Sequence, residues 1–392
     1  MLNRLLVRKS LNIIGLNSGT SADGLDLAAV RVHLNSKKPS IKFLSGKTVP
    51  YPKRLHDRIY EAINNRLSSI DDVIRLDREL GHFYAVRSAA FIRNLKKKKM
   101  AVNLIASHGQ TVRHLPGKVP IDRKKQSGTM QLGHPETIAA TTGLPTVADF
   151  RQADIACGGE GAPITSLAMH YLFSDRRENR LLINIGGISN YFLFPRGASF
   201  TKMQAADCGP GNSLIDIIAR RLFQKGYDKN GQLASKGHVS RRLLTILTAD
   251  NFLKGKFGPS TGRERFGEKF ADKILNAALK LRLNKYDILA TTAELTAAAI
   301  ARAIKEKLVT YRIENIYLFG GGLKNKFLLK RLSDIMPGIQ FHSIGELGFD
   351  PDYLEAVCYA VMGAMTIHSM PSGMHRVTGA ARDSVGGRIV QP

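Results

Sequence analysis

Apolar and polar positions along this chain switch repeatedly between two periods. Short apolar runs predict strands at Leu11–Leu16, Leu27–Leu34, Ala101–Ala106, Thr146–Ala148, Arg180–Ile185, Tyr191–Leu193 and Asn315–Phe319. Apolar residues recurring with helical spacing predict helices at Lys53–Asn64, Ile70–Asn94, Pro135–Thr142, Ala162–Phe173, Ser213–Lys225, Glu268–Lys280, Thr291–Glu306, Asn325–Met336 and Asp352–Ile367. Such alternation predicts an α/β protein with substantially parallel sheets. The first two strands, joined by a short glycine turn, read as a hairpin at a sheet edge.

Two segments repeat one design. LNIIGLNSGTSADGLDLAAVRV and RLLINIGGISNYFLF each place an apolar strand before a glycine turn and a returning strand. This weak duplication predicts two similar α/β domains. The pattern breaks at DFRQADIACGGEGAP, so the expected division is 1–150 plus 370–392 against 151–369, with the helix from Asp352 carrying the chain back.

Composition changes that picture little. The 392 residues suit two or three domains, and 43% hydrophobic content suits a globular chain. Charge is the outlier: 58 basic residues against 32 acidic leave +26. Between Arg93 and Lys125 there are ten basic residues and one acidic one, Asp122, with no aromatic residue among the charges. A base-stacking platform is therefore not indicated, and a solvated basic face is the reading; no nucleic-acid partner is expected. Cys157, Cys208 and Cys358 are too scattered for a disulfide framework or a paired-cysteine zinc site. No apolar run reaches the roughly 18 residues of a membrane span, and the N-terminus lacks a signal-peptide core. The expectation is a soluble cytoplasmic protein.

Three glycine turns carry candidate chemistry. In Gly19-Thr20-Ser21-Ala22-Asp23-Gly24-Leu25-Asp26, backbone N–H groups and hydroxyls can converge on phosphate, and two carboxylates could hold Mg²⁺ through water. An ordinary Asp-Gly hairpin turn is the alternative. Asn184-Ile185-Gly186-Gly187-Ile188-Ser189-Asn190 and Phe319-Gly320-Gly321-Gly322-Leu323-Lys324-Asn325 each follow an apolar strand, where glycine admits a ligand close to the backbone. Each could equally be a tight connection, but three in order on a repeated unit argue for phosphate and nucleotide binding. Ser107-His108-Gly109-Gln110-Thr111 places polar groups at a strand's carboxyl end, where α/β proteins bind small molecules. Asp149, Arg151 and Asp154 offer a cation and two carboxylates, with an Asp149–Arg151 ion pair as the bland reading. No Walker sequence, GxGxxG after a strand, HExxH or paired CxxC occurs.

SGTSADGLD, SHGQTVRH, VADFRQADIACGGEGAP, NIGGISN, DCGPGNSLID, STGRE, AELTAAAIA, FGGGLKN, LGFDPDYLEA and VTGA occur in this order from about Ile13 to Ile389. In them the chain resembles the bacterial anhydro-N-acetylmuramic acid kinases. The resemblance implies a two-domain actin-like ATPase (RNase H-like) fold with an interdomain cleft. It implies ATP and Mg²⁺ as cofactors, with the metal carried by ATP phosphates and water. It implies a small amino sugar as partner, no membrane partner, and allows a homodimer. The implied reaction opens 1,6-anhydro-N-acetylmuramic acid with water and phosphorylates its 6-oxygen in cell-wall recycling. By motif, Gly19 to Asp26, Gly186, Gly187, Asn190, Gly320, Gly321, Gly322 and Asn325 would bind ATP. Gln110, Thr111, Arg151 and Glu355 would bind the sugar, and Asp154 would be the water-activating base. The chain departs from the family at Asn17, His134, Glu160, Cys208 and Pro259.

Overall fold

A computed structural model describes residues 2–19, 22–33, 40–121, 124–254 and 265–392. Two of the expected ATP-site residues, Thr20 and Ser21, and the STGRE motif lie outside the described residues. The chain forms two compact units, 1–172 with 348–392 and 173–347.

In the first unit the strands are β1 (Ser10–Ser18), β2 (Gly24–His33), β3 (Ser40–Pro50), β4 (Leu104–Ile121), β5 (Lys124–Leu132) and β6 (Thr146–Ala148). The second unit holds β7 (Arg180–Ile185), β8 (Ile188–Phe194), β9 (Gln204–Pro210), β10 (Asn315–Phe319) and β11 (Gln340–Ser343); β12 (Arg388–Val390) returns to the first. The sheet orders are β12-β6-β4-β1-β2-β3, with β5 paired to β4, and β11-β10-β7-β8-β9. In both, the first three strands are antiparallel neighbours; β4 and then β6 extend the first sheet in parallel beside β1, as β10 and then β11 extend the second beside β7, while β5 and β12 pair antiparallel. The duplicated order is that of the expected actin-like fold. Two expectations need correction: the sheets are mixed, and the β1–β2 hairpin is central, because β3 takes the edge. β3 escaped notice because its alternating Lys and Ser positions read as loop, as suits an exposed edge strand.

Each sheet buries a face against helices. Ile14, Leu16, Leu27 and Ile105 pack with Leu76, Leu80 and Tyr84 of the helix Ile70–Lys97. That helix outruns its expected end at Asn94, and Lys96 and Lys97 in its last turn suit the negative end of the helix dipole. The other face of β1 and β4 takes the apolar helix Leu354–Ile367. Contact there is so close that a Cβ on Gly15 would lie 1.7 Å from the Ala356 carbonyl oxygen. In the second unit Leu181, Ile183, Ile185, Tyr191 and Leu193 pack against the helices Asn212–Phe223 and Lys285–Thr310.

The unit boundaries differ from the expected ones. DFRQADIACGGEGAP lies wholly inside the first unit. It is stitched to the chain's tail: Glu160 N donates to the Thr378 carbonyl at 2.8 Å and Ala381 N to the Cys157 carbonyl at 2.8 Å. The helix from Leu354 also belongs to the first unit, because it packs on β1. Among the described residues, no helix is long and apolar enough to cross a membrane.

Candidate functional site

The first glycine turn is shorter than its motif. Gly24, Leu25 and Asp26 already pair in β2, while Ala22 and Leu25 point into the core at 0% exposure. Those two side chains face the core, which leaves their backbone to meet ATP, as the reading of the turn's N–H groups expects. Gly24 is required for packing, since its Cβ would sit 2.6 Å from the Val49 carbonyl oxygen. Asp23 is exposed, and half-buried Asp26 accepts from Thr48 Oγ1 at 2.6 Å.

Burial pushes the Asp26 carboxyl up to about 6; the Thr48 hydroxyl opposes this, while the charges of Glu355, Asp352 and Asp23 add to it. The folded state thus holds this proton more tightly than the unfolded chain does. Stability from it is complete below the ordinary value of 3.8 and is lost as pH rises through about 6. Asp26→Asn is expected to gain thermal stability over the parent in that interval, without nucleotide. Melts at about pH 4 and pH 7 check this; a constant difference between variant and parent would rule it out.

Glu355 stands exposed in the first turn of the helix Leu354–Ile367 and accepts from Asn17 Nδ2 at 2.7 Å. Asn17 is 4% exposed, so its departure from the family pattern has a visible role: it holds Glu355 beside the turn.

Gln110, expected at the sugar, faces the first glycine turn. It is 0% exposed, Oε1 accepts from Ser18, and Nε2 faces the carbonyls of Gly19 and Thr111. Its polar atoms are committed to the turn. Thr111 is half-buried, and its hydroxyl accepts from Gln131 Nε2 at 3.2 Å. Arg151 donates from Nε to His108 Nε2 at 3.0 Å and from Nη1 to the Gly161 carbonyl at 2.6 Å. His108 stacks on Tyr359 with centroids 4.4 Å apart, and burial, then the Arg151 charge, keep it neutral. Arg151 is therefore a fixed cation, and the Asp149 partner is not Arg151 but Arg388, at 2.9 Å.

Asp154, the expected base, lies inside the first unit. It is 0% exposed; Oδ1 accepts from Thr378 Oγ1 at 2.5 Å and Oδ2 from Gly161 N at 2.8 Å. Gly159 and Gly373 pack against the same two oxygens, where a Cβ would come within 2.3 and 3.2 Å. Each carboxylate oxygen thus accepts one internal donor. These contacts tie residues 154–161 to the tail.

In the second unit, Asn184, Asn190 and Asp207 are successive cross-strand partners on β7, β8 and β9. Partners in register share a sheet face, so the three form a polar row. The opposite face carries Ile183, Tyr191 and Cys208 into the core. Asn190 Oδ1 is buried with no hydrogen-bond partner, and Asp207 is half-buried. Burial, with the neighbouring Asp207 charge, pushes the Cys208 thiol upward.

The glycine turns meet at the row's end. A Cβ on Gly211 would lie 2.3 Å from the Gly186 carbonyl oxygen, and one on Gly320 2.4 Å from Asn184 Oδ1. Gly322 packs on Ile185, while Gly321 is exposed. Asn325 is 6% exposed and caps the helix Lys326–Ile335, accepting from Leu328 N at 3.1 Å. This expected ATP ligand thus spends its Oδ1 on a helix cap. Asp207 received no role from the sequence; the available signal was an aspartate separated by one residue, Cys208, from a Gly-Pro-Gly turn between strand and helix.

The sequence profile described as Anhydro-N-acetylmuramic acid kinase matches residues 11–392. A relative of that description from Caldanaerobacter subterraneus subsp. tengcongensis is 34% identical over 389 residues, covering 98% of each chain. Another, from Coxiella burnetii, is 35% identical over 377 residues, covering 96% of each. Among solved structures, the activator of the 2-hydroxyisocaproyl-CoA dehydratase from Clostridium difficile with bound ADPNP aligns over 92% of this chain and 96% of its own. That alignment has 10% identity and a TM-score of 0.41.

Proposed function

We propose a division of labour among these residues on the premise that the chain belongs to the anhydro-N-acetylmuramic acid kinase family. It is an ATP-dependent phosphotransferase. Its reaction opens 1,6-anhydro-N-acetylmuramic acid with water and phosphorylates the 6-oxygen. The products are N-acetylmuramic acid 6-phosphate and ADP, in peptidoglycan recycling.

Water attack at the anomeric carbon passes through an oxocarbenium-like state and calls for a carboxylate base. Asp207 is our candidate. The polar row it shares with Asn184 and Asn190, beside a glycine turn, is the observation that carries the assignment. Unlike Asp154, it retains solvent access. The bridge oxygen leaves with developing negative charge and is the nucleophile toward the γ-phosphoryl group, so it needs no second base. Phosphoryl transfer then depends on positioning and charge neutralisation. The backbone of the turn from Gly19, with Gly186, Gly187 and Gly321, supports the phosphates and nucleotide. Arg151 and Glu355 orient the sugar. Asp23 and Asp26 would hold Mg²⁺ through water beside the phosphates, and a cation there relieves the repulsion that helps to raise Asp26. The reading places this work in the cytoplasm.

Mass spectrometry of the anhydro sugar incubated with ATP, Mg²⁺ and the protein tests the coupled reaction. The product is expected to gain phosphate and one water together. In ¹⁸O-labelled water the label belongs on the anomeric hydroxyl. A phosphorylated sugar with its bridge intact would overturn the coupling.

A further inference from the structure

A run of side-chain hydrogen bonds crosses the interior of the first unit and ends on its glycine turn. Tyr84 is 0% exposed, and its hydroxyl oxygen lies 2.8 Å from that of Tyr51. Tyr51 donates to Ser18 Oγ at 2.8 Å, and Ser18 donates to Gln110 Oε1. Gln110 Nε2 then donates to the carbonyls of Gly19 at 3.4 Å and Thr111 at 3.2 Å.

The direction of this run follows from counting protons. Tyr51 gives its one proton to Ser18, so Tyr84 is the donor in the contact between the two phenols. Both groups facing Gln110 Nε2 are carbonyls, which only accept; that sets the amide's orientation. The same elements hold the turn's far end. Ser18 Oγ lies 3.2 Å from the Gly24 carbonyl oxygen, and Tyr51 N donates to the Asp23 carbonyl at 3.1 Å.

We propose that Tyr51, Tyr84 and Gln110 are positioning residues for ATP, holding Ser18, Gly19, Asp23 and Gly24 where their backbone receives phosphate. This rests on the reading of that turn as a phosphate loop. Packing does not require the hydroxyls: the neighbouring Phe83, its centroid 5.2 Å from that of Tyr51, shows that an apolar ring suits this core. Buried hydroxyls are costly unless bonded, and these bonds lead to the turn. Burial raises Tyr51 to about 12 and pushes Tyr84 upward as well, so both phenols stay protonated and able to donate. Ser18, fully engaged, serves as a pin for the turn rather than as a phosphate ligand.

Tyr51→Phe and Tyr84→Phe remove one oxygen each and keep the ring. Calorimetry gives ATP affinity, and steady-state kinetics separate the KM for ATP from that for the sugar. Tyr51→Phe is expected to weaken ATP about fivefold in Kd and KM, as for one lost hydrogen bond, with the sugar KM unchanged. Tyr84→Phe has a smaller effect, because Tyr51 still donates to Ser18, and it supplies an independent reading if Tyr51→Phe does not fold. The double variant loses less than the sum of the singles, since both hydroxyls act through one Ser18 oxygen. Lower melting temperatures with wild-type ATP KM in both single variants would reduce these residues to core filling and overturn the inference. Hydrogen exchange of the parent's 15–27 segment, with and without a non-hydrolysable ATP analogue, separates the two levels. No protection removes the phosphate-loop reading and this inference with it. Protection, combined with wild-type ATP KM in the variants, removes the inference alone.

Discussion

Asp207→Asn is expected to lower kcat by roughly 10²–10⁴-fold while ATP and sugar still bind, because it keeps the side chain's shape and removes the proton acceptor. Phosphorylation should fall together with ring opening, since the bridge oxygen becomes nucleophilic only as its bond to the anomeric carbon breaks. Asp154→Asn should show the opposite signature. One of its two acceptor oxygens becomes an N–H₂ facing either Gly161 N or Thr378 Oγ1. Opposing Gly161 N, that group would leave two buried donors face to face, at a cost of about 1–3 kcal/mol. The melting temperature should drop, and the protein that remains folded should turn over at near the parent rate. Rapid-quench measurement of product at saturating ATP and sugar, alongside thermal melts, distinguishes the two. Near-normal turnover in Asp207→Asn with a dead but fully stable Asp154→Asn would reverse the assignment.

Gly15→Ala should be the most damaging single methyl group in the first unit. The added Cβ would fall 1.7 Å from the Ala356 carbonyl oxygen and 3.0 Å from Ala360 N, both of them helix backbone. No rotamer relieves such a contact, so the helix Leu354–Ile367 must move off β1. That helix is buried from Ala356 to Ile367. The cost is about 3 kcal/mol or more, and Glu355 is drawn away from Asn17. Denaturant unfolding followed by circular dichroism would show a large loss of stability or no folded protein. A variant within about 1 kcal/mol of the parent would mean that the helix is not seated as described.

Much of the architecture was legible locally. Pro135–Thr142, Glu268–Lys280, Arg180–Ile185 and Asn315–Phe319 were read to the residue, because period and end signals agree there. Lys285–Thr310 began six residues before its expected start at Thr291: its cap is Asn284, but apolar residues surround that helix too evenly to display a face. β9 and β11 were invisible, since QAADCGP and QFHS are short and carry little β-pattern. Their pairing comes from neighbours distant in sequence.

The sequence by itself determined the family, the duplicated α/β plan and the positions of the glycine turns. Motifs of four to seventeen residues in a fixed order carry that information without reference to space. Only the tertiary structure decided which of the polar side chains are buried and what they bond to. Asp154, Gln110 and Asn325 sit in motifs that look catalytic or ligand-binding, yet each spends its oxygens on internal donors. Asp207 lies in a motif without an assigned role, yet it joins Asn184 and Asn190 on one sheet face. A residue's spacing along the chain is one-dimensional information. Burial and hydrogen-bond partners depend on what arrives from elsewhere: Thr378 reaches Asp154 across 224 positions, and Asn17 reaches Glu355 across 338.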